Sequence, residues 1–261
     1  LARAAHDADG VAPFNEATLL ALAAGDALRL EVVDDAGAVL AFGDAPAELV
    51  VHPDQRRRGV GRELLERALT ADATDFWAHG DLPAAQALAR SAGLSPVRTL
   101  LVLRLALGDE APQEKVPDGV SIRSFRPEDV DAVVAVNGRA FATHPEQGAM
   151  DRADFERRAA SDWFDPRGLL VAERDGEVVG FHWTKIDDGI GEVYVVGVDP
   201  SAQGIGLGAA LTASGLRFMH EQGVRTVDLY VEADNEPALR TYHRLGFVEH
   251  DRDTLYATPE R

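Results

Sequence analysis

The chain has 261 residues, enough for two domains of ordinary size, and 46 % of them are hydrophobic, which is typical of a globular protein. The formal net charge of −18 opposes non-specific binding to nucleic acids or acidic membranes and suits an amine-bearing substrate. No stretch approaches eighteen uncharged apolar residues and no signal peptide is recognised, so we expect a cytoplasmic protein.

The chain contains no cysteine, which excludes a disulfide framework, a thiolate zinc site and a thiol nucleophile. Its eight histidines are scattered and include no H-x-x-x-H pair on a predicted helix. We therefore expect no metal. Any acyl group must pass directly from donor to acceptor or by way of a residue other than cysteine.

The first half, residues 1–105, predicts an α/β unit. Residues 1–30 are predicted to be mainly helical with a turn at 10–13, and a hairpin is predicted around 34–37. Predicted strands cover 29–33, 38–42, 48–51, 76–79 and 100–105, and predicted helices cover 62–71 and 83–92. Residues 106–117, with two prolines and four charges, predict a linker.

The second half, residues 118–261, begins again with a strand and predicts a complete βααβββαβαβ order. Predicted strands cover 120–125, 169–174, 178–185, 191–198, 226–232 and 255–256, with a hairpin about Asp175-Gly176. Predicted helices cover 127–141, 152–162, 237–245 and the segment that starts at 209. The first half is a shorter copy that lacks a clear opening strand.

Residues 191–211 are the stretch around which the second half is organised. A valine-rich strand ends at Asp199-Pro200, and glycines 204, 206 and 208 then precede a helix. Glycines ahead of a helix N-terminus leave backbone N–H groups open, so this pattern predicts a phosphate site. Gly197, inside the strand, predicts a β-bulge or a ligand lying against the backbone.

The glycine spacing matches neither a Rossmann fingerprint nor a P-loop. Gln203-x-x-Gly206-x-Gly208 instead resembles the pyrophosphate loop of the GNAT acetyltransferase superfamily, and Arg56-x-x-Gly59-x-Gly61 resembles it again. Each loop follows a valine-rich strand ending in x-Pro, and the two lie 147 residues apart. This internal repeat argues against glycines that serve only tight turns.

Together with these loops, the runs FHWTK (181–185), HPEQG (144–148) and GEVYVVGVDP (191–200) resemble the mycothiol synthase family, tandem GNAT enzymes of actinobacteria. The resemblance covers nearly the whole chain and is densest from 137 to 247. It implies two tandem GNAT domains, each a mixed sheet flanked by helices. It further implies an enzyme that moves acetyl from acetyl-CoA to the cysteinyl amine of a cysteinyl-glucosaminyl-inositol, giving mycothiol. We expect this enzyme to be a monomer.

The chemistry of this reaction needs a base, because an α-ammonium is largely protonated near neutrality and only the free amine attacks a thioester. The resemblance implies that Glu192 is this base, acting directly or through water, and that Tyr242 is the general acid for the departing thiolate. On residue type alone, Glu192 could be an acid at a strand end and Tyr242 a half-buried packing residue.

The resemblance also implies the acetyl-CoA contacts. Backbone groups of Val196, Gly197 and Val198 would pair with the pantetheine arm and polarise the acetyl carbonyl. The other expected contacts are the pyrophosphate loop (Gln203, Gly204, Ile205, Gly206, Leu207, Gly208 and Ala209) and the flanking turn (Asn235, Glu236, Pro237, Ala238, Leu239 and Arg240). A second acetyl-CoA would be held in the first half by Leu49, Val50, Val51, Arg57, Arg58, Gly59, Val60, Gly61 and Arg62, although the arginines could equally form a solvated basic rim.

The acceptor contacts implied by the resemblance are Glu16, Glu146, Lys185, Glu192 and Tyr230, with Glu16 reaching across from the first half. Polar groups suit an acceptor rich in hydroxyls, because leaving such groups unpaired penalises the wrong ligand. Each of these residues, taken alone, would be an ordinary surface or packing residue.

Aligning the two halves places Ala45 opposite Glu192 and Ala89 opposite Tyr242. The first half then lacks both acid and base, so we predict that it binds acetyl-CoA without catalysing transfer. Glu48 lies near this register, and a small error in the alignment would restore a carboxylate there.

Two other functions are compatible with the same motifs. The chain could acetylate a different small molecule, such as an aminoglycoside or a polyamine, or a protein N-terminus. It could also be a non-catalytic acyl-CoA sensor, but a sensor needs neither Glu192 nor Tyr242.

Overall fold

The computed structural model describes residues 1–34, 36–110, 112–113, 115–142 and 147–259. The helices are α1 Ala2–Asp9, α2 Glu16–Ala24, α3 Val60–Thr70, α4 Pro83–Ser91, α5 Val130–Ala140, α6 Arg152–Ala159, α7 Leu207–Glu221 and α8 Glu236–Arg244. The strands are β1 Leu28–Asp34, β2 Gly37–Phe42, β3 Ala47–Val51, β4 Asp75–Ala78, β5 Ser95–Ala106, β6 Val120–Ser124, β7 Leu169–Arg174, β8 Glu177–Asp187, β9 Ile190–Val198, β10 Thr226–Glu232 and β11 Val248–Ala257.

The chain forms two compact units, which we call unit 1 (Leu1–Leu101 with Asp251–Arg261) and unit 2 (Val102–His250). These differ from the contiguous halves expected from the sequence. The last strand, β11, pairs antiparallel with β4 of unit 1, with Tyr256 opposite Phe76. Residues 102–106 of β5 belong instead to unit 2, where the Arg104 guanidinium makes two hydrogen bonds of 2.6 Å to Asp228 on β10. A single boundary placed along the sequence does not predict this exchange of strands between the units, because the local sequence of a strand does not show which strand it pairs with.

Unit 1 is built on strands in the order β1-β2-β3-β4-β11. β3 and β4 are parallel, and the other neighbours are antiparallel. Helix α3 buries Leu64, Leu65 and Ala68 against this sheet, where they form a core with Val39 and Phe76. These three residues share one helix face because they recur at the spacing of a helical turn.

Unit 2 carries the order β10-β9-β8-β7-β6, with residues 102–106 of β5 beside β10. β9 and β10 are parallel, whereas β6 to β9 form an antiparallel meander. The side chains of α5 and α6 pack with Phe181 and Trp183 in one core, and the first turns of α7 pack with Ala172 and Val179 in another. The two cores form because successive strand side chains alternate between faces.

The hairpins of the meander close at Asp-Gly pairs. Asp175-Gly176 has φ values of 54° and 82°, and Asp188-Gly189 has 47° and 79°. Two consecutive left-handed residues match the right-handed twist of the flanking strands, and Asp and Gly tolerate that conformation best. The predicted hairpin at 175–176 is confirmed, whereas Asp188-Gly189 was not singled out.

Element bounds agree best where the apolar pattern is strongest. The strands 169–174 and 226–232 have the predicted limits. The predicted helix 152–162 ends earlier, at Ala159, and β5 and β11 begin well before the predicted 100 and 255. β11 opens with the charged run VEHDRD, which carries no strand pattern and is held by its neighbours. Of the predicted hairpin 34–37, Asp34 pairs with Gly37, while residue 35 lies outside the described residues.

No helix in the described parts of the chain is both long and apolar enough to cross a membrane.

Candidate active site

The site of unit 2 lies where two parallel strands part. Among the described residues, the β9–β10 pairs end at Glu192 opposite Asp228, although β9 continues to Val198 and β10 to Glu232. Val196, Gly197 and Val198 lie on β9 beyond the last of these pairs, and their contact with the pantetheine arm of a bound cosubstrate stays a prediction.

The predicted bulge at Gly197 is wrong. Gly197 pairs in regular register with Phe181, and the irregularity falls at Tyr194, between the pairs of Trp183 and Thr184. A Cβ on Gly197 would lie 2.5 Å from Cε1 of Phe181, so the glycine makes room for this buried ring. The other prediction for this glycine, a ligand lying against its backbone, stays a prediction.

The predicted pyrophosphate loop leads into α7 without a side-chain cap. Gly206 caps α7 in the left-handed conformation, with φ of 87° and no side-chain cap, so the first N–H groups of the helix are unpaired within it. A Cβ on Gly204 or Gly206 would meet nothing within 4 Å, which leaves space for phosphates. Gln203 fixes the loop by donating from Nε2 to the Val198 carbonyl at 3.2 Å.

Asp199 holds the start of the same loop. Its carboxylate accepts hydrogen bonds from the Ser201 hydroxyl at 2.7 Å and the Ser201 backbone N–H at 2.9 Å, and Arg139 donates to it at 2.6 Å. These hydrogen bonds, the Ser201 hydroxyl first, lower the pKa of Asp199 to about 2. The turn before α7 therefore carries a fixed negative charge at neutral pH, paired with Arg139.

The second predicted acetyl-CoA segment, 235–240, is the exposed first turn of α8, directly after β10. The Asn235 side chain caps the helix by accepting from the Ala238 N–H at 3.2 Å. This turn follows the end of β10 that has separated from β9, as the prediction requires.

Glu192 and Lys185 face each other across β8 and β9. They are direct strand partners, and Lys185 Nζ lies 3.9 Å from Glu192 Oε2, with side chains 13 % and 23 % exposed. That separation exceeds a direct N–H···O hydrogen bond. A partly exposed carboxylate thus sits at the mouth of the opened strand pair, with a cation beside it.

Tyr242 lies on α8, half-buried, with its ring inclined at 65° to the ring of Phe247 and the centroids 5.9 Å apart. Burial raises the pKa of its hydroxyl to about 12. The phenol therefore stays protonated at neutral pH, as a proton donor must.

The remaining predicted acceptor residues are spread over the chain. Tyr230 lies on β10 and is half exposed, two residues beyond the last pair with β9. Glu16 begins α2 of unit 1, after the N-cap Asn15. Glu146 lies outside the described residues.

Unit 1 repeats the loop with different residues. Arg57, in the place of Gly204, has φ of 63°, and Gly59 caps α3 with φ of 91° and no side-chain cap. Arg56 Nε donates to the Val51 carbonyl at 3.2 Å, the same bond that Gln203 makes to Val198. A cavity of about 570 Å³ adjoins this loop, and its lining includes Val51, Arg57, Gly59, Gly61, Arg62 and His79.

A buried charge cluster that the sequence did not predict lies in unit 1, next to this cavity. His79 Nε2 is 2.5 Å from Glu48 Oε1 and its Nδ1 is 3.0 Å from Asp253 Oδ2. Burial lowers the pKa of His79, but the hydrogen bonds to Asp253 and Glu48 outweigh it and raise the pKa to about 9. Glu48 has no exposed surface, and its Oε1 also accepts from the Asn15 backbone N–H at 2.9 Å. This carboxylate is therefore buried in an ion pair with His79 and has no surface that a substrate could reach.

The comparisons with known proteins agree with this geometry. The model of the acetyltransferase (GNAT) family matches residues 139–247. A mycothiol acetyltransferase of Thermomonospora curvata is 51 % identical over 99 % of this chain and 92 % of its own length. One of Clavibacter sepedonicus is 50 % identical over 98 % and 89 %.

The chain belongs to the mycothiol acetyltransferase family. Members of the GNAT superfamily use acetyl-CoA, so the chain is an acetyl-CoA-dependent acetyltransferase of a small-molecule substrate. Two solved structures share the fold of this chain, and the second is a tandem GNAT protein. A GCN5-related N-acetyltransferase from Sphaerobacter thermophilus aligns with a TM-score of 0.73 at 24 % identity, over 98 % of this chain and 90 % of that one. A tandem GNAT protein from the clavulanic acid biosynthesis pathway aligns with a TM-score of 0.61 at 24 % identity, over 85 % and 78 %.

Proposed function

We propose that the chain transfers the acetyl group of acetyl-CoA to the cysteinyl amine of a cysteinyl-glucosaminyl-inositol, giving mycothiol, and that unit 2 performs this reaction. The observation that carries the proposal is the position of Glu192, a partly exposed carboxylate at the point where β9 and β10 part. The full-length similarity to relatives named mycothiol acetyltransferase supports the identity of the acceptor.

Glu192 acts as the base in this proposal. The acceptor amine arrives largely as an ammonium, and the Glu192 carboxylate takes its proton directly or through a water molecule. The neutral amine then attacks the thioester carbon, forming the amide bond as the carbon–sulfur bond breaks. The polar groups of Lys185 and Tyr230 meet the hydroxyls of the acceptor, and Glu146 is proposed to join them.

The open edge of β9 orients the cosubstrate. Backbone groups of Val196, Gly197 and Val198 pair with the pantetheine arm, and an N–H there stabilises the negative charge that develops on the acetyl oxygen. The bare N–H groups at the start of α7 and the turn 235–240 hold the phosphates and flank the arm. Tyr242, protonated at neutral pH, gives a proton to the departing thiolate.

Unit 1 is proposed to bind a second acetyl-CoA without transferring its acetyl group. The repeated loop at 57–62, the strand 49–51 and the adjoining cavity support binding. The burial of Glu48 in its pair with His79 supports the absence of a base. We further propose a monomeric cytoplasmic enzyme without nucleic-acid or membrane partners, in keeping with the net charge of −18.

The proposal is tested by incubating the protein with acetyl-CoA and a panel of amines that includes cysteinyl-glucosaminyl-inositol, aminoglycosides and polyamines. Mass spectrometry then detects the added acetyl group, which avoids the thiol background of a colorimetric assay. Selective acetylation of the cysteinyl compound is the expected result. Acetylation of another amine would replace the acceptor, and retained acetyl-CoA binding with no transfer would favour a sensor.

A further inference from the structure

Lys185 is held by aromatic rings as well as by its neighbour Glu192. Its Nζ lies 5.3 Å from the ring centroid of Trp163 and 5.8 Å from that of Tyr194. Both distances fall within the range of a cation–π contact, and the attraction grows when the cation is shielded from water. With 13 % of its side chain exposed, Lys185 is well shielded, so the two rings are expected to fix the position of its ammonium.

The two rings are themselves fixed. Trp163 and Tyr194 pack edge to face with centroids 5.0 Å apart, and both contact the fully buried ring of Trp183, at 6.2 Å and 5.9 Å. On Tyr194, the guanidinium of Arg158 lies 5.7 Å from the ring centroid and donates to the hydroxyl at 3.3 Å. An ammonium seated on this group cannot move without leaving its aromatic contacts.

Trp163 lies outside the strands, in the connection between α6 and β7, and no motif of the sequence drew attention to it. Its contact with Lys185 matters because the ammonium stands 3.9 Å from the Glu192 carboxylate and does not close on it. The two rings, Trp163 and Tyr194, form an aromatic seat that sets where the ammonium stands beside the Glu192 carboxylate.

We propose that Trp163 is a positioning residue of the acceptor site, which holds the Lys185 ammonium over its ring so that it can donate to a hydroxyl of the acceptor. The proposal rests on the proposed function in one respect, the assignment of Lys185 to acceptor binding. Tyr194 is the second ring that contacts the ammonium, and Arg158 in turn contacts Tyr194.

The kinetic test compares Trp163→Leu with Trp163→Phe. We expect Trp163→Leu to raise the KM of the acceptor about three- to ten-fold, while kcat and the KM of acetyl-CoA change less than about two-fold. Trp163→Phe keeps a ring under the ammonium and should restore most of the affinity. Phe164→Leu is the matched control, because Phe164 packs on the same Trp183 ring, at 5.5 Å, from outside the Lys185 seat.

A second measurement needs no substrate and so separates this proposal from the assignment of the acceptor. In protein labelled with ¹³C at lysine Cε, the Lys185 signal, assigned by its loss in Lys185→Met, should show a ring-current shift. This shift should become clearly smaller in Trp163→Leu, where only Tyr194 remains, and should persist in Phe164→Leu. An unchanged Lys185 signal in Trp163→Leu would overturn the proposal, whatever the activity. If the signal moves but acceptor KM does not, the seat exists and its role in acceptor binding is refuted.

A double variant tests whether Trp163 acts through Lys185. In a Lys185→Met background, Trp163→Leu should raise the acceptor KM no further, because the ring then has no ammonium to hold. Additive effects would mean that Trp163 acts independently of Lys185, and the positioning role would be wrong.

Discussion

The charge cluster of unit 1 makes a prediction about stability and pH. His79 lies between Glu48 and Asp253, and its side chain is only 11 % exposed. The folded pKa of about 9 lies above the ordinary value of 6.5, because the two carboxylates favour the charged imidazole more than burial disfavours it. A raised pKa contributes stability that is fully present below pH 6.5 and is lost as the pH rises through 9.

The magnitude follows from that difference. Each pH unit between the unfolded and folded pKa corresponds to about 1.4 kcal/mol, so His79 should contribute about 3 kcal/mol at pH 6 that is absent at pH 10. His79→Gln removes the cation and leaves Glu48, which has no exposed surface, as an uncompensated buried charge. Breaking such a buried pair costs about 3–5 kcal/mol, and the cost should show most clearly at pH 6.

Urea unfolding of wild type and His79→Gln at several values between pH 6 and pH 10 measures the effect. The free energy of unfolding of the wild type should fall with pH across this range, and the two curves should converge at the alkaline end. His6→Gln, an exposed histidine of the same unit, serves as the control. Parallel curves, or an NMR titration of His79 with a midpoint near 6.5, would refute the reasoning.

Two shorter predictions concern unit 2. Tyr242→Phe should lower kcat about 10²-fold with little change in the KM of acetyl-CoA, because it removes only the proton donor. Steady-state kinetics measures both constants. A kcat near that of the wild type would show that Tyr242 is not the proton donor. Gly197→Val should lower the free energy of unfolding by about 1–3 kcal/mol in urea titrations, because the new side chain meets the Phe181 ring. Gly208→Ala is the control, and it should lower the free energy of unfolding less, because its Cβ meets only Val198 Cγ2 at 3.8 Å. Equal losses of stability in the two variants would contradict the packing role of Gly197.

The sequence was sufficient for the features that local patterns encode. The glycine loops and the Asp175-Gly176 hairpin depend on backbone conformations that few residues adopt, and the valine-rich strands before the loops follow from their β-branched side chains. The repeat of the loop at an offset of 147 residues also carried over to the structure, where Arg56 and Gln203 make the same hydrogen bond.

The remaining features depend on contacts between distant parts of the chain. β11 begins in the charged run VEHDRD, and nothing in that run shows that Asp253 belongs beside His79, 174 positions earlier. Gly197 predicted a bulge or a bound ligand from its place in a strand, whereas the folded sheet shows that the ring of Phe181 occupies the space where a side chain would lie. Trp163 likewise joins the site through a loop, and its sequence neighbours do not mark it.

The central claim is that Glu192 of unit 2 is the base for acetyl transfer, and Glu192→Gln tests it most directly. The substitution preserves size and removes the proton acceptor, so kcat should fall by about 10²–10⁴-fold while acetyl-CoA binding, measured by calorimetry, stays intact. Partial recovery of the rate at high pH, where the amine is already neutral, would agree with the account. Substantial turnover by Glu192→Gln at neutral pH would contradict it and move the chemistry to another residue or to unit 1.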